Sequence, residues 1–207
     1  FKFGYGKFVT LGSKKVWAQR LSYVGELGFE LYIENKDAKE IYQLIIEEGK
    51  NHDLSHCGSH AMDTMRMESG FLHWGHDISP EENQYESGLN FAISYKKETN
   101  FIGKESLLKI KEKKQNRRFI MLSLKDSKPG TPLLLHEEPI YLGDKIIGRT
   151  TSGNYSFNYK RNLSFGYVTS SYSNEELSKM GLYIEVAKKK FPALVEITPL
   201  KDKQARF

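Results

Sequence analysis

The residues whose types and spacing could do chemistry gather first in the stretch RLSYVGELGFELYI, 20–33. Two apolar-rich runs, 21–24 and 29–33, flank the joint Gly25-Glu26-Leu27-Gly28, and each run has the aromatic and branched content of a strand. In an alternating strand Glu30 and Tyr32 share one face, while Leu31 and Ile33 share the other. A carboxylate beside a phenol, with Tyr23 on the preceding run, could grip a polar heterocycle: the carboxylate accepts N–H donors and the rings offer stacking area. The same pattern also fits the outward face of an antiparallel sheet, and on spacing alone that is the commoner case.

A second block, HWGHDISPEENQYESGLNFAI over 73–93, carries Trp74, Gly75 and Asp77 in a predicted loop, where functional residues often collect. Ser79-Pro80-Glu81-Glu82 reads as a helix start, with a cap, an N1 proline and an acidic first turn, and 88–93 reads as a turn into a strand. Two histidine pairs, His56 with His60 and His73 with His76, have spacings that invite a metal reading. Neither comes with the glutamate of a zinc hydrolase or an ordered acidic set, so metal is not expected. Met62, Met65 and Met67 are expected to pack a core, and Cys57 to be a small buried hydrophobe without an assigned base.

The elements that must position these residues follow from periodicity. The first twenty residues read as a strand pair. Asp37 with Glu40 predicts a capping box, Ile41, Tyr42, Ile45 and Ile46 an apolar helical stripe, and Gly49 a stop. Ser59 is expected to cap a second helix over 60–69 that Gly70 ends, and 103–113 reads as a surface helix with Leu107, Leu108 and Ile110 inward. Then the texture changes. Short strand-like runs at 119–124, 133–135, 138–142, 145–150, 163–169, 182–187 and 194–198 are broken by the turn signals Gly130, Gly143-Asp144, Gly153-Asn154 and Pro192, which predicts a small β-barrel or sandwich. The expected fold class is α+β, with a boundary near 115 that separates 1–115 from an all-β part, 116–207.

Composition narrows the function. The 207 residues are 39% hydrophobic and 28% charged, an ordinary globular balance that argues against disorder. No apolar run approaches the roughly 20 residues of a membrane-spanning helix. A single cysteine leaves no internal disulfide framework and suits the cytoplasm or, alternatively, a mitochondrial matrix. The +5 net charge is concentrated in KIKEKKQNRR (109–118) and KKK (188–190). Neither run interleaves aromatics as a single-strand binder would, so both read as solvated surface, with attraction of a small polyanion as the softer possibility. Gly4-Tyr5-Gly6 lacks the third glycine and the following helix of a dinucleotide loop. The chain begins with Phe, which reads as a piece of a longer polypeptide.

These blocks resemble the glycine-cleavage T-protein (aminomethyltransferase) superfamily. SYVGELGFELY is similar to its folate-site strand, DTMRMESGFLHWGHDISPEENQYESGLNFAI followed by FIGKESLL continues the pattern, and GRTTSGNYSFNYKRNLSFGYV resembles its C-terminal barrel. HWGHDI and TTSGNYS lean towards the folate-binding C-terminal half of dimethylglycine and sarcosine dehydrogenases. The resemblance implies a partial folate-binding domain followed by a barrel, with tetrahydrofolate as cofactor. It gives Glu30 the pterin ring, makes Tyr23, Tyr32 and the backbone at Leu31 the lining of the pocket, and places Phe91 as a further aromatic. It implies no metal and no catalytic residue in this chain, because the family's catalytic aspartate lies upstream, as would a flavin (FAD) domain of the same polypeptide. Met62 stands where the T-protein carries an arginine, and Arg66 is expected to pair with Asp63. The implied function is capture of a one-carbon unit, from a methylated amine, as 5,10-methylenetetrahydrofolate. The alternatives are a flavin-free aminomethyltransferase or folate-dependent demethylase, and a vestigial folate module acting in interaction or regulation. No nucleic acid or membrane partner is expected.

Overall fold

The computed structural model describes residues 1–169 and 171–200, which form two compact units, Phe1–Ser69 and Gly70–Leu200. In the first unit β1 (Gly6–Leu11) and β2 (Lys14–Gln19) make the expected strand pair, and β3 (Glu30–Tyr32) adds antiparallel to β2 in the order β1-β2-β3. Gly12, with φ +58°, takes the left-handed position of the β1–β2 turn that a side chain would resist. Val16 and Ala18 are buried on one face. The helix α1 (Ala38–Gly49) supplies Ile41, which is fully buried. A single 3-10 turn, Lys50–His52, follows, and then α2 (Ser59–Glu68), whose inner side buries Arg66, Met67 and Glu68.

Several expectations are corrected here. The run 21–24 is no strand: only 30–32 pairs with β2. The Ser22 hydroxyl accepts the Val24 amide at 3.4 Å, and Gly25 turns left-handed, so a local side-chain bond replaces ladder pairing. The capping box at Asp37 does not form, because its backbone is already helical (φ −102°, ψ −8°) rather than extended as a side-chain cap requires. Asp37 and Glu40 turn instead to Lys14, at 2.8 and 3.4 Å, and hold its ammonium above the ordinary lysine range, the Asp37 hydrogen bond contributing most. Tyr42 leaves the apolar stripe for the surface, where its hydroxyl meets His56 at 3.4 Å. Gly58, not Ser59, precedes α2, and no side chain caps it. Met67 is buried, but Met62 and Cys57 are exposed. Arg66 does meet Asp63, at 3.2 Å.

In the second unit the helix α3 (Lys104–Lys111) precedes β4 (Arg117–Leu124), β5 (Pro139–Leu142), β6 (Lys145–Ser156) and β7 (Arg161–Thr169). The helix α4 (Asn174–Ser178), with a true capping box between Ser173 and Glu176, leads into β8 (Leu182–Val186) and β9 (Lys189–Glu196). The six strands close as an antiparallel barrel in the order β4-β7-β6-β5-β8-β9, which leaves no unpaired edge. Ile120, Leu122, Leu134, Ile140, Val168, Leu177, Leu182 and Ile184 form its core. The α+β class with a C-terminal β-barrel is therefore what the chain adopts.

The differences in this unit again have local causes. No helix starts at Ser79, because its hydroxyl takes the Glu81 amide and donates to Glu82 at 2.6 Å, while Asn83 Oδ1 accepts the amides of Tyr85 and Glu86. The segment 88–93 holds a 3-10 turn, Asn90–Ala92, in place of a strand. Leu134 is buried between exposed Leu133 and Leu135, yet 133–135 joins no ladder, since the Leu135 amide goes to Glu138 Oε1. Leu108 points outward from α3. Gly153-Asn154 makes no turn but lies inside β6, paired with Ser164 and Leu163 of β7, and Gly153 leaves the room in which Leu134 packs. Pro192 lies inside β9 opposite Tyr183, because Ala187 and Lys188, both at positive φ, make the two-residue hairpin turn earlier.

Asp77 joins the loop 71–93 to the barrel and is fully buried. Its Oδ1 accepts from the hydroxyls of Thr151 (2.5 Å) and Ser152 (2.8 Å), and its Oδ2 from the His73 amide (2.9 Å). The Tyr167 hydroxyl donates to the Asp77 carbonyl at 2.8 Å, and burial above all pushes that phenol upward. Asp77→Ala strands two buried hydroxyls and an amide, so it should lower unfolding stability by roughly 3 kcal/mol, the upper range for hydrogen bonds to a charged group. Urea denaturation checks this, with Thr151→Val as the milder comparison at about 1.5 kcal/mol. Equal midpoints for wild type and Asp77→Ala would remove the carboxylate from this role.

Candidate functional site

The three-residue strand β3 is short because bent chain precedes it, and its register on β2 sets Glu30 opposite Gln19, Leu31 opposite Ala18 and Tyr32 opposite Trp17. Alternation puts Glu30 and Tyr32 on the face that holds Gln19 and Trp17. Trp17 also meets Phe8 edge-on, ring centroids 5.2 Å apart, so an aromatic row crosses the sheet beside the carboxylate. Glu30 and Tyr32 are exposed.

The side chains of Glu30 and Tyr32 are joined: the Tyr32 hydroxyl donates to Glu30 Oε2 at 2.7 Å. That hydrogen bond, and then the carboxylate's charge, raises the phenol above the ordinary tyrosine range. Glu30 Oε1 has no partner among the described residues, so the carboxylate is oriented by one oxygen and open at the other. This arrangement can accept an N–H donor while presenting flat aromatic surface nearby.

Tyr23 lies half-buried in the bent segment before β3, not on a strand. Leu31 is at the edge of exposure on the opposite face from Glu30. Phe91, 82% exposed, belongs to the 3-10 turn Asn90–Ala92 of the second unit. His73 and His76 stack with centroids 4.5 Å apart and His136 stands 6.4 Å from His76, but among the described residues no group of His, Cys, Asp or Glu has the geometry to hold a metal. Sequence reasoning passed over Trp17 and Gln19 as neighbours of Glu30. Their only signal was the β1–β2 alternation, which does not reveal where a third strand docks.

Residues 1–97 match the family described as GCVT N-terminal domain, and residues 117–202 the glycine cleavage T-protein C-terminal barrel domain. The chain is 35% identical over 204 residues to the mitochondrial dimethylglycine dehydrogenase of Homo sapiens, covering 97% of this chain and 22% of that one. It is 36% identical over 154 residues to the 4-methylaminobutanoate oxidase (formaldehyde-forming) of Paenarthrobacter nicotinovorans, covering 74% of this chain and 18% of the relative. Against an aminomethyltransferase of Listeria welshimeri it is 34% identical over 197 residues, 95% of this chain and 51% of the other. The crystal structure of the glycine cleavage system aminomethyltransferase T from Bartonella henselae superposes with a TM-score of 0.78 at 21% identity, over 91% of this chain and 50% of that one, and so shares the fold. The chain thus spans about half of the aminomethyltransferases and about a fifth of the dehydrogenase it matches.

The Glu30–Tyr32 pair makes its own prediction. Ionising Tyr32 places a phenolate against a carboxylate and removes the donated hydrogen, so Glu30 favours the neutral phenol and raises its pKa. Glu30→Gln removes the charge, and Tyr32 should then titrate at lower pH than in the wild type. NMR of ring-labelled tyrosine, with Tyr32→Phe identifying the resonance, reads the shift. An unchanged titration would mean that the two side chains do not interact in solution.

Proposed function

Because this chain belongs to the glycine-cleavage T-protein superfamily, we propose that it is the tetrahydrofolate-binding part of an amine-demethylating flavoenzyme of the dimethylglycine or sarcosine dehydrogenase kind. The observation that carries the folate reading is the Glu30 carboxylate, held by Tyr32 through Oε2 and open at Oε1 beside Trp17. A pterin edge offers N–H donors that a carboxylate accepts, and the oriented oxygen fits that need. Tyr23 and Tyr32 supply aromatic surface for the ring and the Leu31 backbone closes the lining; Phe91 is proposed as a further aromatic on the family resemblance alone. When bound, tetrahydrofolate supplies the nitrogens that take up a one-carbon unit. The chain's own residues orient the pterin, so that proximity does much of the work. No residue here is assigned as the general base, which this reading places upstream together with the flavin.

The flavoenzyme context draws support from the dimethylglycine dehydrogenase and from the oxidase whose name records formaldehyde, a one-carbon product. Within this reading 1–115 is the folate part and 116–207 the barrel, acting in the cytoplasm or the mitochondrial matrix. A flavin-free aminomethyltransferase is the second reading, favoured by relatives of that name that align with 95% of the chain.

Calorimetric titration of the full-length protein with 5-formyl-tetrahydrofolate tests the proposal. Saturable binding is expected, weakened roughly ten- to hundredfold by Glu30→Gln, the range for a hydrogen bond to a charged group. Tight binding that ignores the substitution would move the pterin contact to another residue, and no binding would end the folate reading. Flavin bound to the purified full-length protein distinguishes the first reading from the second.

A further inference from the structure

The basic run 109–118 has no part in the folate reading. Between the end of α3 and the start of β4 it borders a cavity of about 250 Å³, lined by Tyr85, Lys114, Gln115, Arg117 and Arg118. These residues are not equivalent. Arg117 is neutralised: it pairs with Glu82 at 2.9 Å and Glu86 at 3.5 Å, donates to the Glu81 carbonyl, and lies over the Tyr167 ring. Gln115 is fixed, its Oε1 accepting from Asn83 at 2.9 Å and its Nε2 donating to the carbonyls of Ile110 and Lys113. The Tyr85 hydroxyl shares a 2.5 Å contact with that of Tyr95.

Two cations remain. Lys114 is exposed, and no ion pair with an acidic group engages it among the described residues. Arg118 is the informative one: its Nε is buried and finds no acceptor among the described residues. The carboxylate that senses Arg118, Glu176, is already engaged by the Ser173 amide at 2.6 Å in the α4 cap. A buried N–H without an acceptor loses its hydration and gains nothing in return, and no ion pair neutralises the Arg118 guanidinium among the described residues, so its charge favours an anion in the cavity it lines. A cavity of this size takes one group, not a length of nucleic-acid backbone with its stacked bases.

We propose that this cavity binds a small oxyanion, a phosphate or carboxylate group, with the Arg118 guanidinium and Lys114 as donors and Gln115 and Tyr85 as fixed walls. An oxyanion oxygen meets the guanidinium of Arg118 with a charge-assisted hydrogen bond, and Lys114 adds attraction at the mouth.

The test is calorimetric titration of the full-length protein with inorganic phosphate and, in parallel, glutarate, at an ionic strength held constant with chloride. Saturable binding should weaken roughly ten- to hundredfold in Arg118→Gln and about threefold in Lys114→Ala. Lys145→Ala, on β6 outside the cavity, should change nothing. Saturation by phosphate alone assigns a phosphate group, and saturation by glutarate alone or by both assigns carboxylate recognition; each supports the site. No saturable heat above chloride, or binding that survives both cavity substitutions, overturns it. Circular dichroism checks the fold of Arg118→Gln, and Lys114→Ala, at an exposed position, carries the test if that variant does not fold.

Discussion

The buried Asp77 carboxylate is the constraint on which the second unit depends. A charge removed from water must be met by donors, and here Thr151, Ser152 and the His73 amide meet it. Those donors come from two distant stretches. One is the loop that carries HWGHDI, and the other is the bulged centre of β6, where TTSGNYS begins. The bulge between Thr150 and Ser152 changes the alternation of β6, and both hydroxyls of Thr151 and Ser152 reach the same carboxylate oxygen. With Tyr167 donating to the Asp77 carbonyl, a long connection without regular structure is tied down by polar bonds.

The first unit solves a different problem. Its sheet is small, its β3 is three residues long, and much of its aromatic surface is open. What orders Glu30 there is a hydrogen bond between exposed side chains two residues apart, geometry that the period of a strand supplies at no cost in loop closure. The same bond leaves one carboxylate oxygen open. An oriented acceptor on a shallow aromatic face has specificity of position without the desolvation cost of a buried charge.

How much was legible in advance differs from element to element. The barrel strands β4, β5, β7 and β8 were readable because each is an apolar run between turn residues, whereas β6 and β9 were cut short at Gly153-Asn154 and Pro192, and α1 was readable from its stripe around Ile41. Several misreadings fall where a side-chain oxygen takes a backbone amide: Ser22 at 21–24, Ser79 and Asn83 after the loop, Glu138 at Leu135. Propensity sees these residues as caps or strand neighbours, whereas competition for a single N–H is decided by which acceptor lies nearest in space. Asp37 shows the converse, a capping sequence diverted by Lys14 of β2.

The sequence by itself determined the β1–β2 pair, the helices α1, α2 and α3, the mainly β character of the second half and the sharing of one strand face by Glu30 and Tyr32, since these rest on local periodicity and covalent geometry. Only the tertiary structure decided that Asp77 is a buried anchor and not a surface functional group, that Trp17 flanks Glu30, that Arg117 is neutralised by Glu82 and Glu86, and that Arg118 keeps a buried donor without an acceptor. The reason is physical. Burial, strand docking and charge pairing join residues tens of positions apart, and no local pattern encodes the distance between them.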